Sequence, residues 1–240
     1  MLVDFCLPVH NEEKIVAASL KELTDFLRQQ SGWSWRITIA NNGSSDQTAA
    51  QASRFLSENV RLIDISSLGK GVAVKSAWLQ SEADVLAYMD IDLAVALRHI
   101  PQLIAPIAAG EAELVIGSRL LPGSLISRSW VRELSSRSCN RLFRLLFGYP
   151  VSDTQCGFKA VRADFFRTIV NFLNDQQWFF DTELIVQTII HRGQLLEIPV
   201  EWQEARYDRR KSKVRLWRDA RRHFFNLLRL RQDLKKTKMI

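Results

Sequence analysis

The sequence predicts an α/β fold, with a mostly parallel, Rossmann-like central sheet flanked by helices. Three observations predict it. Short apolar runs alternate with amphipathic helical stretches in βαβα order from the start of the chain. Polar, glycine-containing loops fall at the carboxyl ends of the strands, where open α/β sheets hold their ligands. No repeat or linker-like stretch interrupts the 240 residues, and 47% apolar content is enough for one sizeable core.

The elements follow in order. Val3 to Val9 reads as a buried strand, Glu12 to Gln30 as a helix with Ile15, Leu20, Leu23 and Leu27 inward, and Trp35 to Ala40 as a second strand. The turn Asn42-Gly43-Ser44-Ser45-Asp46 ends in residues that cap helices, and a helix is expected through Leu56. Val60 to Ile65 is a strand, Gly71 to Gln80 a helix and Val85 to Met89 a strand, a rhythm that implies parallel pairing with right-handed crossovers. Helices are expected over Ile100 to Ala109, Arg128 to Phe147 (basic and amphipathic) and Asp181 to His191, with strands over Glu113 to Gly117 and Leu195 to Val200.

The formal charge of +7 is unevenly spread. From Arg206 to Ile240 fourteen Lys and Arg face three Asp, a balance of +11 that leaves about −4 on the rest. Within this end, Val214, Trp217, Arg221, Phe224, Phe225 and Leu228 recur at helical spacing, which groups apolar side chains on one face with cations around them. That pattern fits a docked terminal helix with a solvated basic face or an interfacial helix on anionic lipid; no nucleic-acid module accompanies it, so no nucleic-acid partner is expected. Cys6, Cys139 and Cys156 are too few and too scattered for a disulfide framework or a zinc site. With neither a basic leader nor an apolar run approaching the ~20 residues of a spanning helix, a cytoplasmic placement is expected, with at most peripheral contact at the cytoplasmic membrane face.

The chemistry-bearing segment is Val85-Leu86-Ala87-Tyr88-Met89-Asp90-Ile91-Asp92. A buried strand ending in Asp-x-Asp presents two hard oxygen ligands where a divalent cation can bridge a diphosphate, although an isolated triplet reads more readily as a strand end with an acidic turn. Three further loops can face the same crevice: Pro8-Val9-His10-Asn11-Glu12-Glu13, Asn41-Asn42-Gly43-Ser44-Ser45-Asp46 and Leu68-Gly69-Lys70-Gly71. Gly69 and Gly71 are expected to let backbone approach a phosphate while Lys70 supplies charge.

In their order and spacing these segments resemble the family 2 glycosyltransferases of the GT-A fold, and more narrowly the polyprenyl-phosphate glycosyltransferases, which include dolichyl-phosphate glucose and mannose synthases. The resemblance covers roughly residues 2 to 215. It also includes Gly117-Ser118-Arg119, Asp153-Thr154-Gln155-Cys156-Gly157-Phe158-Lys159, Phe180-Asp181-Thr182-Glu183-Leu184, Glu197-Ile198-Pro199-Val200 and Ser212-Lys213-Val214. It implies a catalytic domain over 1–212, with a nucleotide-sugar half to about 119 and an acceptor half beyond it, followed by a basic amphipathic helix over 213–240. It implies inverting transfer of a glucose- or mannose-type hexose from a UDP- or GDP-linked sugar to a polyprenyl or dolichyl phosphate. Pro8, Asn11, Glu12 and Asn41 would line the nucleoside pocket; Asp90, Ile91 and Lys70 would meet the donor diphosphate; Asp90 and Asp92 would hold Mg²⁺ or Mn²⁺. Asp92, Arg119 and Asp153 would be the catalytic residues, and Arg119, Arg132 and Ser136 would hold the acceptor phosphate, which guanidinium forks suit. For Arg132 and Ser136 a solvated helix face is the competing reading. Asp181 and Glu183 would be structural or would support the site from behind.

The chain departs from the pattern in three places. Asn41 stands where the family usually has Asp, leaving nucleobase preference open. Ala94 follows Leu93 where related mannose synthases often supply Gln. No membrane-spanning helix is expected on either side of the domain, where many members of the family carry one. Two alternatives follow: a soluble glycosyltransferase acting on a hydroxyl acceptor, for which Asp153 would have to act as general base, and a nucleotide-sugar-binding module without catalysis.

Overall fold

The computed structural model describes the backbone of residues 1–127, 130–203 and 216–236, and the side chains of these except residue 132 and residues 216–220. The strands are β1 (Leu2–Val9), β2 (Ser34–Asn41), β3 (Val60–Asp64), β4 (Val85–Met89), β5 (Leu114–Ser118), β6 (Leu125–Ser127), β7 (Phe158–Arg162), β8 (Leu195–Pro199) and β9 (Glu201–Gln203). The helices are α1 (Val16–Leu27), α2 (Thr48–Ala52), α3 (Lys70–Leu79), α4 (Ile100–Ala108), α5 (Trp130–Phe147), α6 (Ala163–Ile169), α7 (Phe180–Ile190) and α8 (Leu216–Lys236).

Seven strands form one sheet in the order β3-β2-β1-β4-β7-β5-β8, and β6 and β9 pair in a small second sheet. Every pairing in the large sheet is parallel except those of β7, which runs antiparallel to both β4 and β5. Successive side chains of a strand point to opposite faces, so β1 sends Val3, Phe5, Leu7 and Val9 into one core and Cys6 into the other; β4 divides Val85, Ala87 and Met89 from Leu86 and Tyr88 in the same way. Both faces are covered, by α1, α2 and α4 on one side and by α3 and α5–α8 on the other, which is why these strands read as unbroken apolar runs.

Expected and observed elements differ where a local interaction or a buried charge intervened. The first helix begins at Val16 and not at Glu12, because Asn11 takes a left-handed φ of 51° and the Glu12 amide is held by Thr48 Oγ1 at 2.7 Å. Thr48–Ala52 is α-helical only to its fifth residue and tightens into a 3₁₀ turn over Ser53–Phe55. Four elements, β6, β7, α6 and β9, were not expected; β7 is masked in sequence by Lys159, a charge in mid-strand that is fully buried.

The terminal helix α8 carries two apolar faces, not one. His223, Leu227, Leu230 and Leu234 dock inward, while Phe224 and Phe225 of the expected face point outward. Ser212, Lys213, Val214 and the boundary near residue 212 lie outside the described residues, as does the side chain of Trp217. No helix among the described residues is long and apolar enough to cross a membrane.

Candidate functional site

The strand order changes direction between β1 and β4, so the crevice at the carboxyl ends of these two strands is where an open sheet of this kind binds ligands. Asp90 and Asp92 follow β4 directly into it. Because β7 is antiparallel, its first residue, Phe158, pairs with Met89 at the end of β4, and the preceding segment 153–157 is thereby laid beside Asp90. The Asp90 amide donates to the Gly157 carbonyl at 3.2 Å, and a Cβ on Gly157 would lie 2.1 Å from an Asp90 carboxylate oxygen, so only glycine fits there. β5 runs parallel to β8 and antiparallel to β7, which delivers Arg119 to the same edge of the sheet.

Asp92 is locked in a turn: its Oδ1 accepts from the Ala94 amide at 3.3 Å, and Leu93 adopts a φ of 48°. Ala94, whose carbonyl accepts from Gln203 at 2.9 Å, serves this fold as a turn residue stitched to β9. Asp90 is about one third exposed, and its Oδ1 lies 3.0 Å from Lys70 Nζ. Two half-exposed carboxylates of this kind form a hard oxygen donor set suited to Mg²⁺ or Mn²⁺. Among the described residues no group of three or more His, Cys, Asp or Glu side chains is placed to hold a cation; a cation on Asp90 and Asp92 would fill the rest of its shell with water or with a donor's phosphate oxygens.

Lys70 is buried, shared between Asp90 at 3.0 Å and Asp181 at 3.5 Å, and lies near the rings of Tyr88 and Trp178. Burial alone would favour the neutral amine, but the two carboxylates hold its pKa above the ordinary lysine range. The glycines around it do not cradle a phosphate as expected. The Gly71 and Val72 amides donate to the Gln177 and Gln176 carbonyls, at 3.1 and 3.2 Å, and the Gly69 amide donates to Asn42 Oδ1 at 2.6 Å. A Cβ on Gly69 would sit 2.0 Å from the Gln176 carbonyl oxygen, so the glycines there admit the 175–177 backbone, and Lys70 contributes through its side chain.

Arg119 and Asp153 form the second cluster. Asp153 has no exposed surface, and both its oxygens are fully engaged: Oδ2 accepts from Arg119 Nε (2.7 Å) and the Arg119 amide (3.1 Å), Oδ1 from Arg119 Nη2 (3.0 Å) and the Gln155 amide (3.1 Å). Burial would raise this carboxyl, yet the Arg119 guanidinium and these hydrogen bonds hold it down at about 2. The turn is pinned from two sides. Glu197 on β8 accepts from Ser152 Oγ (2.6 Å) and from the amides of Ser152 (2.9 Å) and Asp153 (3.2 Å), while Asn140 on α5 accepts from the Thr154 amide at 2.9 Å. Trp202 packs 5.7 Å from the Arg119 guanidinium.

Behind both clusters Lys159 reaches Asp181 at 2.9 Å and the Cys156 carbonyl at 2.7 Å. Burial pushes Lys159 down to about 7 and Asp181 up to about 6, the latter resisted by Lys70.

The remaining expected residues fall as follows. Asn41 Nδ2 donates to Asp64 at 2.6 Å, so a carboxylate stands beside the amide at the ends of β2 and β3. Asn11 Oδ1 accepts from the Ser45 amide at 2.8 Å, tying the first two loops together; Glu12 is buried beneath them and Pro8 is half-buried on β1. Two expectations are corrected. Ile91 is 2% exposed with its side chain in the core, so only its backbone can face a donor. Ser136 is turned into the protein on the inner side of α5, its hydroxyl without a hydrogen-bond partner among the described residues; it is on neither a solvated face nor an open phosphate site. The side chain of Arg132 lies outside the described residues. Sequence reasoning gave no individual role to Lys159 or Glu197, although both stand in segments that resemble the family and both are charges inside apolar stretches, and it gave Asp181 only a supporting one; it missed Asp64 and Asn140 altogether.

Comparison with known proteins agrees with this arrangement. The sequence profile described as glycosyl transferase family 2 matches residues 4–170. Glycosyltransferase AglD of Haloferax volcanii is 33% identical over 224 residues, covering 90% of this chain and 35% of that protein. Dolichyl-phosphate beta-glucosyltransferase ALG5D of Trichomonas vaginalis is 29% identical over 215 residues, covering 84% of this chain and 66% of that protein. The chain therefore spans about a third of the first relative's length and just under two thirds of the second's. Among solved structures, glucosyl-3-phosphoglycerate synthase from Mycobacterium tuberculosis, crystallised with Mn²⁺, UDP and glucosyl-3-phosphoglycerate, superposes with a TM-score of 0.71 at 17% identity, covering 96% of this chain and 79% of that one. The fold is the GT-A fold of that enzyme.

Proposed function

The chain belongs to glycosyl transferase family 2, and on that premise we propose that it transfers a hexosyl group, glucose in particular, from a UDP-linked donor to a polyprenyl phosphate of the dolichyl type. The sugar and acceptor follow the activity of the Trichomonas relative, and the nucleotide follows the UDP complex of the mycobacterial synthase.

Asp153 carries the acceptor reading. A carboxylate held at about 2, with all its hydrogen-bonding capacity given to Arg119 and Gln155, is a poor proton acceptor. A hydroxyl acceptor needs a base; a phosphate oxygen is already anionic at neutral pH and does not. Asp153 thus orients Arg119, whose Nη1 has no partner among the described residues and is the edge offered to an acceptor phosphate. Asp90 and Asp92 would hold Mg²⁺ or Mn²⁺, and such an ion supplies charge neutralisation on the leaving diphosphate. Lys70, able to leave Asp90 for the diphosphate, adds a fixed positive charge from the other side. The acceptor oxygen then forms its bond to the anomeric carbon as the bond to the donor's phosphate oxygen breaks, with inversion, and the nucleoside diphosphate departs.

The test is transfer of labelled sugar from UDP- and GDP-sugars onto short polyprenyl phosphates with Mg²⁺ or Mn²⁺, followed by organic extraction. Metal-dependent label in the organic phase from UDP-glucose is the expected result; donor hydrolysis with no lipid product overturns the acceptor assignment.

A further inference from the structure

We propose that Lys159 is a positioning residue for transfer: its buried side chain ties the turn that holds Arg119 to the lysine that meets the donor diphosphate, so that filling the donor side steadies the acceptor side. The inference deepens the proposed reaction and rests on it for the roles of Lys70 and Arg119. Lys159 stands inside β7 with no exposed surface, at a strand position that an apolar side chain would fill without any charge to satisfy. A lysine ammonium has three donors, and here each finds an acceptor within the protein. Lys159 Nζ meets the Cys156 carbonyl at 2.7 Å, the Thr154 carbonyl at 3.4 Å and Asp181 Oδ1 at 2.9 Å. Two of these acceptors belong to the 153–157 turn and the third to α7.

The contacts close a ring around the site. Asp181 Oδ2 lies 3.5 Å from Lys70 Nζ, Lys70 lies 3.0 Å from Asp90, and the Asp90 amide donates to the Gly157 carbonyl at 3.2 Å, which returns to the same turn. The charged side chains of the ring balance, with the ammoniums of Lys70 and Lys159 against the carboxylates of Asp90 and Asp181. They balance again once a diphosphate draws Lys70 away and a cation takes Asp90, because Asp181 and Lys159 remain as a pair. What changes is the division of Asp181, from two lysines to one. Burial disfavours the charged form of both members of that pair, so each keeps its charge through its partner, and an undivided carboxylate holds Lys159 more firmly.

A firmer Lys159 is felt at Arg119. The Gln155 amide is one of the donors holding Asp153, and Gln155 stands between Thr154 and Cys156, the two residues whose carbonyls Lys159 holds. The turn is also fastened by Asn140 of α5 and by Gln155 Nε2, which donates to His223 Nδ1 of α8 at 3.3 Å. Neither of these anchors leads to Lys70; Lys159 does, through Asp181. A purely structural tie needs no charge, since a neutral amide can donate to both carbonyls. The ammonium adds a response to whatever else Asp181 is holding.

The experiment is hydrogen exchange at the amides of the 153–157 turn in the full chain, with and without UDP and Mn²⁺, alongside sugar transfer to a short polyprenyl phosphate. UDP with Mn²⁺ should slow exchange of this turn roughly tenfold in the wild type. In Lys159→Met that slowing should vanish while UDP affinity stays within about threefold, and the KM for the polyprenyl phosphate should rise roughly tenfold with little change in the KM for the donor. Lys159→Arg, which keeps the charge and the donors, should restore most of both. Asp181→Asn, which leaves the two carbonyl contacts in place, should lose the slowing as well and decides the matter if Lys159→Met does not fold. A turn indifferent to UDP in the wild type, or one slowed equally in both charge-removing variants through the Asp90 contact with Gly157, overturns the inference. So does a fall in melting temperature and kcat in Lys159→Met with the exchange response intact. Wild-type UDP binding without transfer to the polyprenyl phosphate would count against the proposed acceptor and leave the exchange response to judge the coupling by itself; absence of UDP binding would overturn both.

Discussion

Two ion-pair clusters flank the Asp90 carboxylate, and they are built in opposite ways. Lys70 divides one ammonium between Asp90 and Asp181 at 3.0 and 3.5 Å, with Asp90 partly open to solvent. Arg119 and Asp153 form a bidentate pair at 2.7 and 3.0 Å, with no part of Asp153 exposed and its turn fastened by Glu197 and Asn140. A contact shared with a partly exposed carboxylate can be exchanged for a ligand; a saturated, fully buried one cannot without leaving a charge buried. In the proposed reaction the Lys70 side would release its lysine to the donor diphosphate, and the Arg119 side would hold its arginine still for the acceptor.

The largest expected effect comes from breaking the fixed side. Asp153→Ala leaves the Arg119 guanidinium buried and unpaired, and should cost about 3–5 kcal/mol in denaturant unfolding together with loss of transfer. Full stability in that variant would mean that the pair is not a platform. The next test concerns the exchangeable side: Asp92→Asn should lower metal-dependent turnover by about 10²–10³ while leaving the melting temperature unchanged, because the turn hydrogen bond to Ala94 survives in the amide. A matching loss of stability would place Asp92 among the structural residues. Lys70→Met should raise the KM for the donor about tenfold with a smaller loss of stability, on the order of 1 kcal/mol, since Asp181 keeps Lys159 at 2.9 Å. An effect confined to kcat would contradict its role as a charge that binds the diphosphate.

The smallest effect sharpens the comparison at its outer edge, where α8 meets Gln155. Burial holds the His223 imidazole down at about 4, so its neutral form is favoured in the folded chain. The corresponding stability is fully present above its unfolded value of about 6.5 and is lost progressively as pH falls from there through 4. Thermal unfolding of wild type and His223→Gln between pH 7 and 4 should show the gap between them narrowing with acid. A constant gap would mean that His223 is not the titrating group.

Much of this was legible in the sequence for a local reason. An apolar run ending in Asp-Ile-Asp announces a strand and its carboxylates together, and β4 with Asp90 and Asp92 lies where that run predicts. Gly69 and Gly71 were legible as close approaches of backbone, but what approaches them is the 175–177 segment, more than a hundred residues away. Lys159 argued against a strand by its charge, and only its partner Asp181, in the first turn of α7, explains why a charge is tolerated there. Ser136 was assigned to the wrong side of α5 because an alternating basic and apolar helix does not say which stripe another helix will cover.

By itself, then, the sequence determined the α/β rhythm, the order in which the polar loops arrive and the identity of the charged groups at the strand ends, since each follows from the periodicity and chemistry of neighbouring residues. Tertiary structure alone decided that β7 enters the sheet antiparallel, that the 153–157 turn thereby comes to rest against Asp90, and that α8 docks by one stripe and leaves its two phenylalanines outward. These depend on which distant surfaces bury each other most completely, and that is a property of the whole packed chain.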